Sequence, residues 1–457
     1  MPIASPESVA GNPLNPALQL TDGSRVAVIG GGPSGSFFSY FLLMMAEKAR
    51  LFIEVDVYEP RDFTQPGPSG CNKCGGIISE SLVQSLAMDG IFLPTTVVQQ
   101  GIACYAFHID EESVRIKPPS DEKRIASVRR GAGPCRAVRS LLASFDGYLL
   151  QIAEEKGARI VRERVTGVDI DKEKPRVTTK TGSSETYDLL VGAMGVNSPD
   201  LKLLEGLGTG YTLPATAKTY ITEIPMGYNA IEQCLGDTMH VFLLDIPRLK
   251  FSAIIPKGEY ATVCLLGSAI DQGLVDSFFR HPEVLSCLPE GWSPAGRRCR
   301  CFPMIPIGGA KGAFGDRFVM IGDSGVARLY KDGIGSAYRT AKAAAQTVIF
   351  SGISRRDFRL YYQPECDELA SDNRFGKVVF TVTSLIKRLP FLRRGLMRMA
   401  NREQAGHATP GMSIVLWDTF TGNASYRNIL LRALHPVFLA RLLYETVMGW
   451  VLSPRLT

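Results

Sequence analysis

The sequence predicts an α/β fold with a Rossmann-type dinucleotide turn, and three stretches carry that prediction. In RVAVIGGGPSGSFFSYFLLMMAEKA, Val26, Val28 and Ile29 make a short buried strand and a long apolar helix follows. The second stretch, IEVDVYEP, reads as another strand and ends in Glu59. The third, DRFVMIGDSGVARLYKDGIGSAYRTAKAAAQTV, is a strand running into Gly322-Asp323, a loop, and an Ala-rich helix opened by Gly333-Ile334-Gly335.

The first turn reads G-x-G-x-x-G, from Gly30 through Gly32 to Gly35. Gly30 permits the tight turn, Gly32 lets the backbone approach a pyrophosphate, and Gly35 lets helix and strand pack closely. Pro33 and Ser34 complete the turn, and the helix start supplies N–H groups and positive dipole to phosphates. Glu59 lies 24 residues beyond Gly35, where a carboxylate accepts hydrogen bonds from an adenosine ribose. Pro60 and Arg61 follow it and belong to the same expected site.

The far end of the chain decides between NAD and FAD. Asp323 can hold a ribityl chain, while the helix start at 333–335 faces a flavin pyrimidine edge and stabilises negative charge on it. A further strand, Leu189 to Val191 in YDLLVGAMGVNSP, runs into a turn with Gly192 and Gly195. No second G-x-G-x-x-G is present for a nicotinamide cofactor, which argues against a reductase holding two dinucleotides.

At 457 residues, with 45% hydrophobic and 21% charged residues, the chain is an ordinary folded protein of one large or two interlocked domains. Ten cysteines are too dilute for a disulfide scaffold. The first 24 residues hold four prolines and read as a loose tail without a signal peptide. No apolar run reaches the length that spans a bilayer. A cytoplasmic location with reduced thiols is expected. The net charge of +6 is uneven: Arg374 to Arg402 contains eight Lys or Arg and no acid, interleaved with large apolar residues. Such a segment suits either an anionic membrane surface or a solvated helical face. No groove-reading or base-stacking module points to nucleic acid.

The three nucleotide-site segments, in this order, resemble the para-hydroxybenzoate-hydroxylase-like FAD superfamily. That resemblance implies an FAD domain assembled from 25–85, 125–210 and 300–352. It also implies a β-rich, antiparallel substrate domain from 86–124 and 211–299, with 353–457 as a helical C-terminal region. Met194 stands where the hydroxylases carry an Asp of an Asp-Gly pair. Within the superfamily, Cys71-Asn72-Lys73-Cys74-Gly75-Gly76, the Pro256-Lys257-Gly258 hairpin and the Gly322-Asp323-Ser324-Gly325 loop are similar to the geranylgeranyl reductase family. The resemblance implies FAD-dependent saturation of carbon–carbon double bonds in a prenylated lipid, pigment side chain or quinone. NADPH or reduced ferredoxin would be the electron donor. It also implies an arginine on the FAD pyrophosphate, Arg130 first and Arg136 second. A monooxygenase or halogenase on the same scaffold is the competing reading.

An isolated alkene has no carbonyl to accept electron density, so reduction needs a proton at one carbon as hydride reaches the other. The site must then be dry and a long apolar tunnel. The loop with Cys71, Cys74, Gly75 and Gly76 is expected to form the catalytic face. Its thiols are open to three roles: lining the pocket, relaying electrons as a dithiol, or joining Cys299 and Cys301 as a four-thiolate metal site. The five histidines show no ligand spacing and read as structural or surface residues, so no metal site is assigned to them.

Overall fold

The computed structural model describes residues 18–451, apart from 68–69, 72–74, 111, 119–124, 135–143, 172–173, 208 and 295–298. Cys74 and Arg136 therefore lie outside the described residues. A six-stranded sheet carries the glycine turn near its centre. Its strands run in the order Phe314–Gly315, Phe318–Met320, Leu189–Gly192, Ser24–Ile29, Ile53–Tyr58 and Arg159–Val161. All neighbours are parallel except the pair at the 314–315 edge. Three distant segments thus present the carboxyl ends of their strands side by side, the place where open parallel sheets bind ligands.

The helix Pro33–Ala49 is apolar on most of its surface because it is covered on most sides. It packs against the second glycine-opened helix, Gly333–Phe350, where the Tyr338 ring meets Phe37 and Phe41 edge-on at 5.7 and 5.6 Å. Such aromatic pairs add about 1 kcal/mol beyond the area they bury.

A seven-stranded sheet makes the second layer, in the order 299–301, 220–225, 260–267, 249–257, 238–242, 104–109 and 112–116. It is antiparallel as expected, with one exception: 238–242 runs parallel to 104–109. Those two strands lie far apart in the sequence, so no hairpin fixes their direction. Side chains alternate between the sheet's faces. Met239, Val241, Ala253 and Ile255 pack with Leu396, Trp417 and Phe420 of the C-terminal helices. Phe242, Ile254 and Val263 pack on the opposite face with Phe278 and Phe279 of the helix Gln272–Phe279. A small sheet of 77–78, 125–128 and 98–102 joins the layers, and the Ser127 hydroxyl donates to the Pro256 carbonyl at 2.9 Å.

Beyond residue 354 the described chain is helical, including Gln363–Arg388, Pro390–Gln404, Met412–Thr421 and Pro436–Val451. None of its helices is long and apolar enough to cross a membrane. Part of the basic run is committed inside the fold. Lys387 is buried and donates to the Leu249 carbonyl at 2.7 Å, Arg393 pairs with Asp110 at 2.7 Å, and Arg398 and Arg402 both reach Glu445.

Candidate functional site

A cavity of about 620 Å³ opens where the carboxyl ends of the parallel strands meet the seven-stranded sheet. One end is lined by Gly30, Gly32, Pro33, Ser34, Glu59, Pro60, Arg61, Arg130, Gly195, Asp323, Gly333 and Ile334. Gly35, Gly322 and Gly335 stand behind that wall and are required by packing. A Cβ on Gly35 would sit 1.9 Å from the Gly30 carbonyl oxygen, and one on Gly322 (φ +62°) 1.9 Å from the Ser34 hydroxyl. At Gly335 the obstacle is Asp332, whose carboxylate caps the helix by accepting from the Gly335 N–H at 3.2 Å.

Polar groups converge on the glycine turn. Glu59 is buried, with one carboxylate oxygen accepting from the Gly31 N–H at 3.0 Å and Arg61 bridging both oxygens. Arg130 forms two parallel 2.9 Å hydrogen bonds to the buried Asp146 carboxylate. That fork fixes its guanidinium 3.6 Å from where a Cβ on Gly32 would lie, over the turn. Asp323 faces the cavity beside Gly333 and makes no hydrogen bond among the described residues. Burial pushes its carboxyl up from the ordinary value, with Arg130 pulling the other way. Lys331, also on the wall, is held well below the usual lysine range by burial and by Arg328. The glycine end is thus an anion cradle with a fixed cation and two helix starts.

The other end is apolar: Ile221, Met239, Phe251, Ile255, Leu266, Phe380 and Phe420 line it, from the seven-stranded sheet and the C-terminal helices. Cys71, Gly75 and Gly76 sit where the two ends join. The reason for the glycine pair is now visible. Gly76 has φ +70°, and its Cβ would come 2.0 Å from the Val128 carbonyl oxygen and 2.9 Å from the buried Lys257 ammonium. A Cβ on Gly75 would stand 3.0 Å from the Cys264 sulfur. Cys264 is a cavity thiol that sequence reasoning passed over; only its place on an inward-facing strand position signalled it. Cys299 and Cys301 lie on the sheet-edge strand and do not line the cavity. Among the described residues, donor atoms gather instead at His108, His240 and Cys287, on the sheet's far face.

Known proteins share this architecture. A geranylgeranyl bacteriochlorophyll reductase-like protein from Thermoplasma acidophilum superposes with a TM-score of 0.64 at 15% identity, covering 91% of this chain and 99% of the other. The halogenase PltM, in complex with phloroglucinol and FAD, gives a TM-score of 0.58 at 11% identity over 93% of this chain and 91% of its own. The chain thus shares one fold with a reductase-like protein and with a halogenase solved with FAD. In sequence, a geranylgeranyl diphosphate reductase from Synechocystis is 24% identical over 257 residues, 52% of this chain and 54% of the relative. The match spans about half the length of that relative. No family model matches the chain. The flavoprotein fold places the glycine cradle and the apolar wall on either side of one cavity, an arrangement suited to a nucleotide cofactor at one end and an apolar reactant at the other.

Proposed function

We propose that the chain is an FAD-dependent reductase that saturates carbon–carbon double bonds of a polyprenyl lipid, pigment side chain or quinone. The observation that carries this reading is the continuity of one cavity from an anion cradle into an apolar wall of sheet and helix side chains. The cradle fits FAD: Gly32 and Gly333 have no described atom nearer than 3.6 Å to where a Cβ would stand and Gly195 none within 4 Å, Arg130 stands over the turn, and Asp323 offers a carboxylate that makes no hydrogen bond among the described residues. Gly30, Gly32, Pro33, Ser34 and Arg130 would hold the pyrophosphate, and Glu59 with Pro60 and Arg61 the adenosine ribose. Gly195 and Asp323 would hold the ribityl chain, and Gly333 and Ile334 the flavin edge, with Gly35, Gly322 and Gly335 supporting them from behind the wall. FAD bound there in its reduced form would supply the hydride.

The chain's own contribution is placement and dryness. Phe251 and Phe420 stack at a centroid distance of 5.6 Å and exclude water along the apolar end. Cys71 and the Gly75-Gly76 backbone form the face where the cavity's two ends join, which would set the alkene against the cofactor. Segments 86–124 and 211–299 would act as the substrate-binding part.

A membrane-dissolved substrate fits the exposed surface of the C-terminal helices. Leu385, Phe391, Leu443, Val447 and Trp450 are exposed there, and so are the basic residues Arg374, Lys377 and Arg388 of the helix Gln363–Arg388, the composition of an interfacial contact with anionic lipid. The electron donor would be NADPH or reduced ferredoxin.

The test is product mass. The purified flavoprotein, reduced chemically under anoxia and given a geranylgeranyl lipid, is expected to yield products heavier by two hydrogens per bond. Products carrying oxygen or halogen, formed in air with oxygen consumption, would establish the monooxygenase or halogenase reading instead. Pelleting with anionic but not neutral vesicles checks the surface contact.

A further inference from the structure

The far face of the substrate sheet holds a cluster that the cavity chemistry does not use. Strands 104–109 and 238–242 pair in parallel with Ala106 opposite His240 and His108 opposite Phe242. This register brings the two histidines together on the face away from the cavity. His108 Nε2 and His240 Nδ1 are 2.9 Å apart, and the rings lie nearly parallel at 18°. Cys287, just after the short helix Pro282–Leu285, puts its sulfur 3.2 Å from His240 Nδ1 and 3.8 Å from His108 Nε2. All three residues are buried.

We infer that His108, His240 and Cys287 form a binding site for a zinc-type divalent cation that fastens the helical layer to the back of the substrate sheet. Tetrahedral zinc, with bonds of about 2.0 Å to nitrogen and 2.3 Å to sulfur, sets donor atoms about 3.3 to 3.5 Å apart. The three observed separations are each within about half an ångström of that. His240 Nε2 faces the Leu235 carbonyl at 3.4 Å. Donating there leaves Nδ1 with one lone pair in the ring plane, as in metal-bound histidines whose other ring nitrogen donates to a backbone carbonyl. Without a cation, His108 and Cys287 compete for that single acceptor. A cation satisfies all three atoms at once.

Binding would displace the Cys287 thiol proton to solvent and leave a thiolate on the cation beside two neutral imidazoles. A water would fill the fourth position, since Cys234 is not among the donor atoms that gather within 4.8 Å, and the buried Glu283 carboxylate would balance the remaining positive charge.

The probe is zinc alone, on the full chain with its cofactor. After chelation and readdition, about one zinc per chain is expected to bind and to raise the thermal midpoint. Cobalt in its place should give tetrahedral ligand-field bands to the red of flavin absorption, with sulfur-to-metal charge transfer. Cys287→Ser and Cys287→Ala should each lose the charge transfer and weaken binding at least about tenfold. Cys299→Ser should keep both. Circular dichroism checks that the variants fold; should both Cys287 variants fail to fold, His240→Gln gives the same readout. Failure of wild-type protein to bind zinc, or binding indifferent to Cys287 and His240, overturns the inference. Zinc lost in Cys299→Ser instead would place the metal on the other thiols.

Discussion

The glycine wall and the sheet wall of one cavity are held by different parts of the chain. On the glycine side the limits are set by backbone: a Cβ on Gly35 or Gly76 would approach a carbonyl oxygen to 1.9 or 2.0 Å. On the sheet side they are set by side chains such as Met239, Phe251 and Phe420, which can change rotamer or be exchanged for others of similar volume. A wall made of backbone has few sequences that satisfy it. A wall made of side chains has many, and is where specificity can drift without loss of the fold.

The sharpest way to break that contrast is at Gly35. Gly35→Ala should abolish flavin retention and cost more than about 3 kcal/mol, because the clash is with backbone that cannot rotate away. Gly195→Ala, where no atom of the described residues lies within 4 Å of the new carbon, should leave the same melts nearly unchanged. If both behave alike, backbone crowding is not what defines this wall.

Arg130→Ala comes next. It removes the two-pronged partner of a buried carboxylate, a loss of about 3 kcal/mol, and flavin retention should fall with it. Arg130→Lys should restore little, since an ammonium cannot make the parallel pair.

A third measurement concerns the seam between the sheet and the C-terminal helices. Burial lowers Lys387 to about 8 from 10.5, so its charged form is disfavoured in the fold. Wild-type stability should therefore rise relative to Lys387→Met as pH increases from about 8 towards 10.5. The variant's advantage below pH 8 is at most on the order of 3 kcal/mol, reduced by about 1 kcal/mol for the lost hydrogen bond to Leu249. Urea melts at several pH values check the sign.

The smallest effect belongs to the apolar wall. Phe251→Leu should cost under about 1.5 kcal/mol and leave flavin retention unchanged, while on the proposed reductase reading it changes the preference between prenyl substrates of different length several-fold. A loss of flavin here would mean the two walls are not separable.

Reading the chain for these walls succeeds where neighbours in sequence are neighbours in space. The glycine turn, its strand and helix, and Glu59 follow from local periodicity and glycine geometry, and the structure brings them together with Asp323 and Arg130. Gly75-Gly76 was legible as part of the catalytic face, but not the atoms that forbid a side chain there, which belong to Val128, Lys257 and Cys264. The basic run from 374 to 402 read as a uniform surface feature, yet Lys387, Arg393, Arg398 and Arg402 are engaged by partners from other elements.

By itself the sequence determined the α/β class and the dinucleotide turn, since each is written in spacing over fewer than about 20 residues; a β-rich part came only from the family resemblance. Only the tertiary structure decided which side chains meet. The parallel pairing of two strands far apart in the sequence sets His108 against His240 across 132 positions, and a helix end adds Cys287 across 179. Spacing along a chain carries no record of such a meeting, because it is strand register and layer packing that make it.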